Sequence, residues 1–198
     1  EDIISDVATA EVNDEELNDA EMLSMLQQFL VAGNETTTKL LTNLIHRLAV
    51  DSVLEDKLRS NPDLIDNFIE EGLRYEAPVG GLFRMAKEDT QVNDIEIKAG
   101  DHLWVIYAAA NRDPAIFDNP DDFLVDRENA REHLAFGHGE HYCIGALLAR
   151  KEARIAIQLL LANIENIQLV EDKNKYEYEE SFVLRGLKEL HVSYDVIS

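Results

Sequence analysis

The sequence predicts a mainly α-helical protein with small antiparallel β-sheets, and three observations support this fold class. Apolar residues keep helical spacing through most of residues 19–50. Two further helical patterns cover residues 61–75 and the stretch that ends near Asn163. Between them, residues 82–107 alternate in polarity and contain turn signals, as short antiparallel strands do. No repeat or Gly/Ser linker divides the chain, so we expect a single domain over residues 1–198.

The composition excludes several classes of protein. A chain of 198 residues with 45% hydrophobic and 29% charged residues is long enough to bury a core and is typical of soluble globular proteins. No apolar run reaches the length of a membrane span and no signal peptide opens the chain, so we expect no membrane insertion. The net charge of −22 opposes binding to nucleic acid or anionic membranes. The lone cysteine suits a reducing, cytoplasmic setting.

The first long helix has a clear start signal. Residues 1–17 are acidic with scattered apolar positions and predict the end of one helix followed by a loop. Asn18, with Glu21 three residues later, is typical of an N-cap and its capping-box partner. The helical spacing then continues from about Asp19 to Val50, which is roughly 48 Å at 1.5 Å per residue.

The middle of this helix contains poor helix formers. Residues 33–38 contain a glycine, an asparagine and three threonines. Threonine hydroxyls can bond to carbonyls of the preceding turn, and we expect the helix to open locally here. A departure from local rules in mid-helix is typical of a functional position. A solvated polar helix face is the alternative interpretation, and this stretch alone does not separate the two.

A second helix begins at Asn61 and Pro62, where asparagine acts as cap and proline occupies the first position. Its buried stripe ends near Tyr75. Glu71 and Arg74 are three residues apart and therefore share a face of this helix. Such a pair on a surface is common and contributes well under about 1 kcal/mol.

Short strands and turns follow. Within residues 82–107, Asn93-Asp94 and residues 99–101 are turn signals. Residues 109–114 read as a helix end and a turn. In the C-terminal tail, we expect a hairpin through residues 181–187.

Cys143 is the most distinctive residue of the chain because it is the single cysteine and cannot close an intrachain disulfide. It follows Gly137 and Gly139 and is predicted to open an amphipathic helix that continues to about Asn163. Unpaired N–H groups and the positive dipole end of a helix stabilise a thiolate. A thiolate held in this way suits a soft metal ligand or a nucleophile.

Two simpler interpretations of Cys143 are available. A lone cysteine is usually a small buried hydrophobe, but such a residue does not need two glycines beside it. A zinc site is the second interpretation, with ligands drawn from nearby histidines, although the spacing matches none of the usual zinc signatures. The histidines in question are His133, His138 and His141.

The complete pattern over residues 136–150 is Phe-Gly-x-Gly-x-His-x-Cys-x-Gly-x-x-Leu-Ala-Arg, and it resembles the haem-ligating loop of the cytochrome P450 family. The resemblance implies that haem b is the cofactor and that Cys143 is the axial thiolate ligand of its iron. It also implies that Phe136 and Gly137 lie against the haem ring and that His141 reaches a propionate.

Two residues outside this loop resemble further propionate partners of the family. Arg84 opens the strand region, and His133 lies in the sequence His-Leu-Ala-Phe-Gly. For each of these residues taken singly, the alternative interpretation is an ordinary surface residue.

The threonine-rich stretch of the long helix resembles the oxygen-binding kink of the same family, in the form Ala-Gly-x-Glu-Thr-Thr. The resemblance implies that Ala32 and Gly33 lie beside the haem, where Gly33 leaves room for dioxygen. It implies that Glu35 and Thr36 form the acid–alcohol pair that delivers protons.

Glu71 and Arg74, followed by Tyr-Glu-Ala-Pro-Val, resemble the family's buried Glu-x-x-Arg ion pair. The family adds a second arginine, and Arg127 is the best match in this chain. Here the usual Pro-Asp-Arg-Phe pattern is replaced by Pro-Asp-Asp-Phe at residues 120–123, so this third member departs from the pattern.

The matching motifs run from Ala32 to Gly186 and correspond to the C-terminal half of a family member, so we expect this chain to be a fragment. The implied function is a haem-thiolate monooxygenase that inserts one atom of dioxygen into an apolar organic substrate. Electrons would come from a ferredoxin- or flavodoxin-like donor, docking near basic residues after the cysteine. Those basic residues are Arg150, Lys151 and Arg154, for which plain solvated charges are an equal alternative. The expected substrate-pocket residues are Leu26, Phe29, Leu30, Val79, Leu82, Phe83, Phe182 and Val183.

Two other functions remain open. A peroxide-driven haem-thiolate peroxygenase would keep Cys143 but would not need the acid–alcohol pair. A non-catalytic haem-binding or sensor module would not need Glu35 and Thr36 together. The presence of this pair therefore favours the monooxygenase over both alternatives.

Overall fold

A computed structural model describes residues 2–12 and 14–197 of the chain. Within those residues the fold is mainly helical with small antiparallel sheets, as the sequence predicts. The helices are Ile3–Ala8 (α1), Asp19–Val50 (α2), Ser52–Ser60 (α3), Ile65–Tyr75 (α4), Tyr107–Ala110 (α5) and Ala146–Asn163 (α6). The strands are Glu11–Val12 (β1), Glu15–Glu16 (β2), Leu82–Met85 (β3), Thr90–Val92 (β4), Ile95–Ile97 (β5), His102–Val105 (β6), Ile164–Leu169 (β7) and Val192–Val196 (β8).

Helix α2 begins and ends where the sequence predicts. The Asn18 side chain accepts hydrogen bonds from the N–H groups of Ala20 and Glu21, and the Glu21 carboxylate accepts one from the N–H of Asn18. This reciprocal capping satisfies donors that a helix start otherwise leaves unpaired. None of the helices in the described part of the chain is long and apolar enough to cross a membrane.

The expected opening in the middle of α2 is wrong, because α2 is a continuous α-helix. The threonine hydroxyls do bond back to the preceding turn, Thr36 to the Ala32 carbonyl at 2.7 Å and Thr38 to the Asn34 carbonyl at 2.9 Å. A carbonyl oxygen has two lone pairs, so it accepts a hydroxyl without losing its helical N–H partner. Threonine back-bonding is therefore compatible with an unbroken helix here.

The core lies where α2, α4 and α6 meet. Its fully buried aliphatic and aromatic side chains come from the three helices in turn, namely Leu40, Leu44 and Leu48, then Phe68, Ile69 and Leu73, then Ala153 and Ile157. Gly72 sets the approach of α4 to α2, because a Cβ atom at this position would lie 2.4 Å from Leu44 Cδ2. A side chain at residue 72 would therefore force the Leu44 side chain to move.

Helix α6 begins at Ala146, so the prediction that Cys143 opens this helix is wrong. Gly145, two residues after the cysteine, is the N-cap of α6. The Cys143 N–H donates to the Phe136 carbonyl at 2.9 Å, which folds the loop back on itself. The cysteine therefore lies in this loop, two residues before the N-cap of α6.

The strand region follows the predicted turns. Strand β3 pairs with β6, and β4 pairs with β5 around Asn93, whose φ of 52° is left-handed. In the tail, antiparallel bridges join Tyr178 to Leu187 and Val79 to Leu184. The segment around the predicted hairpin thus folds back and also meets the start of the strand region. The β7–β8 sheet was not predicted.

Candidate functional site

The loop that carries Cys143 presents its thiol to the outside. Cys143 is an exposed free cysteine. Gly137 and Gly139 have φ values of 73° and 78°, a left-handed conformation that side chains strain. The two glycines and the bond from Cys143 N–H to the Phe136 carbonyl give the loop its tight shape.

Exposed apolar residues follow the cysteine along the chain, and they suit a flat apolar ligand that contains a soft metal. Ile144, next to the cysteine, is 94% exposed, and Leu147 and Leu148 of α6 are also exposed. A thiolate is a soft donor that selects metals such as haem iron. His141 is exposed in the same loop and is available to an anionic group. The residues of this loop therefore fit a haem.

A zinc site finds no support. Among residues 2–12 and 14–197, no group of three His, Cys, Asp or Glu side chains is arranged to hold a metal ion. His133 is turned into the core, where it is 7% exposed.

The position of His133 contradicts its assignment to a haem propionate. Its Nδ1 accepts a hydrogen bond from the Ala135 N–H at 3.1 Å, and its Nε2 lies 3.1 Å from a Glu70 carboxylate oxygen. With Nδ1 accepting, Nε2 is the protonated nitrogen that donates to Glu70. Both ring nitrogens are therefore occupied within the protein. Arg84, in contrast, is exposed on β3, and its guanidinium approaches the Tyr107 hydroxyl at 3.4 Å.

Glu70 is an important residue that the sequence analysis missed. Its buried carboxylate accepts two hydrogen bonds from Arg150, at 2.6 and 2.9 Å, and one from His133. Burial alone would raise the pKa of Glu70, but the bonds from His133 and Arg150 outweigh it and lower the pKa to about 2. The carboxylate is therefore ionised at neutral pH. The signal in the sequence is weak, because the partners lie 63 and 80 residues away.

Two of the three basic residues expected at a donor-docking surface are paired with acidic residues of α4. Arg150 holds Glu70, and Arg154 lies 3.2 Å from Asp66. Lys151 is exposed. The guanidinium of Arg150 is held by a buried carboxylate, and docking of a donor near these three residues stays a prediction.

Glu71, Arg74 and Arg127 form one buried ion-paired group. Glu71 is 0% exposed and accepts from Arg74 at 2.7 and 2.8 Å, from Arg127 at 3.1 Å and from the Leu124 N–H at 2.8 Å. Arg74 also donates to the carbonyls of Asn111, Pro120 and Asp122. The group ties the irregular segment after α5 to α4, although the sequence around residue 120 departs from the family pattern.

Glu35 and Thr36 are adjacent in sequence but point to different partners. Successive residues of an α-helix are about 100° apart around its axis. The Thr36 hydroxyl bonds to the Ala32 carbonyl, whereas Glu35 lies 3.4 Å from the buried amine of Lys39. Gly33 faces open space, since nothing lies within 4 Å of a Cβ atom built there.

A groove of about 740 Å³ runs between α2 and the C-terminal segment. Its lining includes Leu30, Glu35, Lys39 and Glu179. Lys39 lies between the two carboxylates, 3.4 Å from Glu35 and 3.7 Å from Glu179. Leu30, expected in the substrate pocket, thus lies on the groove side of α2.

The other expected pocket residues fall into separate groups. Phe83 stacks on Trp104 at 6.0 Å between ring centroids, and Phe182 meets the same indole edge-on at 6.1 Å. Trp104 joins the two phenylalanines and was missed, because its sequence context is that of an ordinary strand residue. The remaining members lie in three places, with Leu26 and Phe29 on α2, Leu82 on β3, and Val79 and Val183 beside the bridge from residue 79 to residue 184.

Comparison with known proteins agrees with this geometry. Residues 2–191 match the family model described as Cytochrome P450. The chain is 42% identical over 194 residues to a cytochrome P450 of Bacillus subtilis (strain 168), covering 98% of this chain and 47% of that protein. The solved structure of Mycobacterium marinum cytochrome P450 CYP150A6, in the substrate-free form, has a TM-score of 0.93 and 38% identity, covering 96% of this chain and 49% of that one.

A second solved structure is similar to the same extent. CYP109E1 from Bacillus megaterium in complex with testosterone has a TM-score of 0.90 and 37% identity, covering 96% of this chain and 52% of that one. This chain spans about half the length of the curated relatives it matches. Its motifs, its fold and these similarities lead to one conclusion. The chain belongs to the cytochrome P450 family.

Proposed function

We propose that the protein containing this chain is a haem-thiolate monooxygenase that inserts one atom of dioxygen into an apolar organic substrate. The observation that carries the proposal is the exposed Cys143 thiol on its glycine loop, in a chain of the cytochrome P450 family. When bound, haem b supplies the oxygen activation, and a thiolate ligand favours cleavage of the O–O bond. The protein contributes binding, orientation and electrostatics.

The cofactor-binding residues have distinct roles in this proposal. Cys143 ligates the iron, and Gly137 allows the loop to approach the ring closely. Phe136 would lie against the haem ring. His141 and Arg84, both exposed here, pair with the propionates. Glu71, Arg74 and Arg127 hold the fold around the loop and take no part in the chemistry.

In this proposal, residues of α2 would handle oxygen and protons. Ala32 and Gly33 leave space beside the helix, which the open surroundings of Gly33 support. The Thr36 hydroxyl, which here donates a hydrogen bond to the Ala32 carbonyl, would be the alcohol of the pair that delivers protons. Glu35 relays protons from water to it. The Glu35 carboxylate lies 3.4 Å from the Lys39 amine, which ties it to the next turn of α2.

The substrate side is apolar and aromatic. Phe83, Trp104 and Phe182 form a cluster with large exposed faces, and Phe182 is 77% exposed. Aromatic faces of this kind suit a flat or extended hydrocarbon. CYP109E1, the relative similar at 37% identity, is solved with testosterone, a large apolar molecule. The substrate class we propose is therefore an apolar organic molecule with a sizeable hydrocarbon body.

Electrons come from an external ferredoxin- or flavodoxin-like donor in this proposal, and Lys151 is the basic residue after the cysteine loop that is open to it. The lone cysteine is consistent with a cytoplasmic location.

The test is Cys143→Ser in the haem-loaded protein that contains this chain. The wild type, reduced and exposed to carbon monoxide, should give the red-shifted band of thiolate ligation, and Cys143→Ser should lose it because a serine hydroxyl is not a soft donor. His138→Ala is the matched control in the same loop and should keep the band. An unchanged band in Cys143→Ser would exclude the assignment. Product formed with peroxide but not with a reductant would favour the peroxygenase.

A further inference from the structure

Glu70 has a set of contacts that the proposed function does not use. Its side chain is only 2% exposed, in the middle of α4. Three basic side chains surround the carboxylate, with Arg150 and His133 hydrogen bonded to it and Arg131 at 3.6 Å. A buried carboxylate is stable only where cations and hydrogen bonds compensate its desolvation. Here this compensation comes entirely from the cysteine loop and the residues on either side of it.

Arg150 connects Glu70 to both sides of Cys143. Its guanidinium lies 4.5 Å from the centre of the Phe136 ring, and its NH1 group donates to the Tyr142 hydroxyl at 3.3 Å. Phe136 is the residue whose carbonyl accepts the Cys143 N–H, and Tyr142 directly precedes the cysteine. A planar guanidinium with two hydrogen bonds to a carboxylate has one preferred orientation. The orientation of Arg150 is therefore set by Glu70.

A second connection runs through His133. Its Nε2 donates to Glu70, and its Nδ1 accepts from the Ala135 N–H. Ala135 is the residue before Phe136, so this contact fixes the entry to the loop. Glu70 thus restrains the loop at its entry, at the Phe136 ring and at Tyr142.

We propose that Glu70 is a positioning residue for the Cys143 thiolate, acting through Arg150 and His133. The inference rests on the proposed function, because it takes Cys143 as the iron ligand. The Glu70 carboxylate contacts His133, Arg150 and Arg131 and not the thiol, so its effect is on the geometry of the loop and on the local charge.

Removal of the Glu70 charge has two expected effects. Glu70→Gln keeps the size of the side chain but presents one oxygen in place of two, so Arg150 loses its bidentate partner and can leave the Phe136 ring. The Arg150 charge is also no longer neutralised beside the loop. A net positive charge near the iron favours the ferrous state, so the ferric–ferrous reduction potential should become more positive.

The experiment compares Glu70→Gln with Asp66→Asn in the haem-loaded protein that contains this chain. Asp66 and Arg154 join the same two helices, α4 and α6, but both side chains are about half exposed, so this pair is the matched control. For Glu70→Gln we expect a loss of part of the thiolate carbon monoxide band to an unshifted band, and a more positive reduction potential. Asp66→Asn should match the wild type in both. Thermal unfolding of both variants is measured alongside.

The readouts separate positioning from simple stabilisation. A Glu70→Gln protein with lower thermal stability but a wild-type band and potential would overturn the inference, because Glu70 would then support only the fold. If Glu70→Gln does not bind haem, Arg150→Lys tests the positioning role instead. Lysine keeps the positive charge but cannot make two parallel hydrogen bonds to the Glu70 carboxylate. Arg150→Lys should lose part of the thiolate band, and an unchanged band would again overturn the inference. A wild type with no thiolate band would overturn the proposed function together with this inference, whereas a wild-type band in every variant would overturn this inference alone.

Discussion

Replacement of Glu71 is the sharpest test of what holds this fold together. The Glu71→Ala change leaves two buried guanidinium groups, those of Arg74 and Arg127, without their shared carboxylate. Loss of one partner from a buried ion pair costs about 3–5 kcal/mol. The partly buried Leu124 N–H also loses its acceptor, which adds at most about 1–3 kcal/mol. Whole-domain stabilities are about 5–15 kcal/mol, so Glu71→Ala should yield little folded, haem-loaded protein.

The assay is denaturant unfolding followed by circular dichroism, together with the ratio of bound haem to protein. Glu71→Gln should lie between Glu71→Ala and the wild type, because it keeps hydrogen-bond acceptors but loses the charge. Asp126→Ala is the control, since Asp126 adjoins Arg127 but makes only an exposed pair with Lys57, where less than about 1 kcal/mol is expected. Wild-type unfolding free energy and haem content in Glu71→Ala would refute the reasoning, because they would show that the two arginines do not need this carboxylate.

Two further changes act on α2 and its contact with α4. Thr36→Ala should leave haem binding and electron uptake intact while less product and more peroxide form per reductant consumed, because proton delivery loses its hydroxyl. A wild-type ratio of product to reductant would remove Thr36 from oxygen activation. Gly72→Ala places a Cβ atom 2.4 Å from Leu44 Cδ2 and should lower the unfolding free energy by about 1–3 kcal/mol, measured by denaturant unfolding. Gly33→Ala meets open space and should not be destabilised, and equal stability in both variants would contradict the packing argument.

Features of the fold that depend on neighbouring residues could be predicted from the sequence. The capping box of Asn18 and Glu21 is a local signal, and α2 begins there. The start of α6 could not be predicted in the same way, because it depends on the Cys143 N–H reaching the Phe136 carbonyl across a loop. Helical periodicity extends into such a loop without showing where the backbone turns.

The residues of the candidate site show the same difference between local patterns and distant contacts. Glu71 and Arg74 are three residues apart, so a short pattern is enough to pair them. Glu70 and Trp104 were missed because their contact partners lie far away in the sequence. Trp104 meets Phe83 across a sheet and Phe182 from the tail, and no local pattern reports either contact. His133 was assigned to a propionate from the family resemblance, and its carboxylate partner, 63 residues away, could not be seen in the sequence.

Glu70 and Glu71, the adjacent carboxylates of α4, bind different parts of the protein. Consecutive residues of a helix point about 100° apart, so Glu70 and Glu71 face different parts of the protein. Glu71 holds Arg127 and the irregular segment before the cysteine loop, whereas Glu70 holds Arg150 and the loop itself. Both act on a helix that Gly72 packs against α2, the helix of Thr36. Loss of Glu71 should therefore unfold the region as a whole, while loss of Glu70 should change the thiolate environment within a protein that still folds.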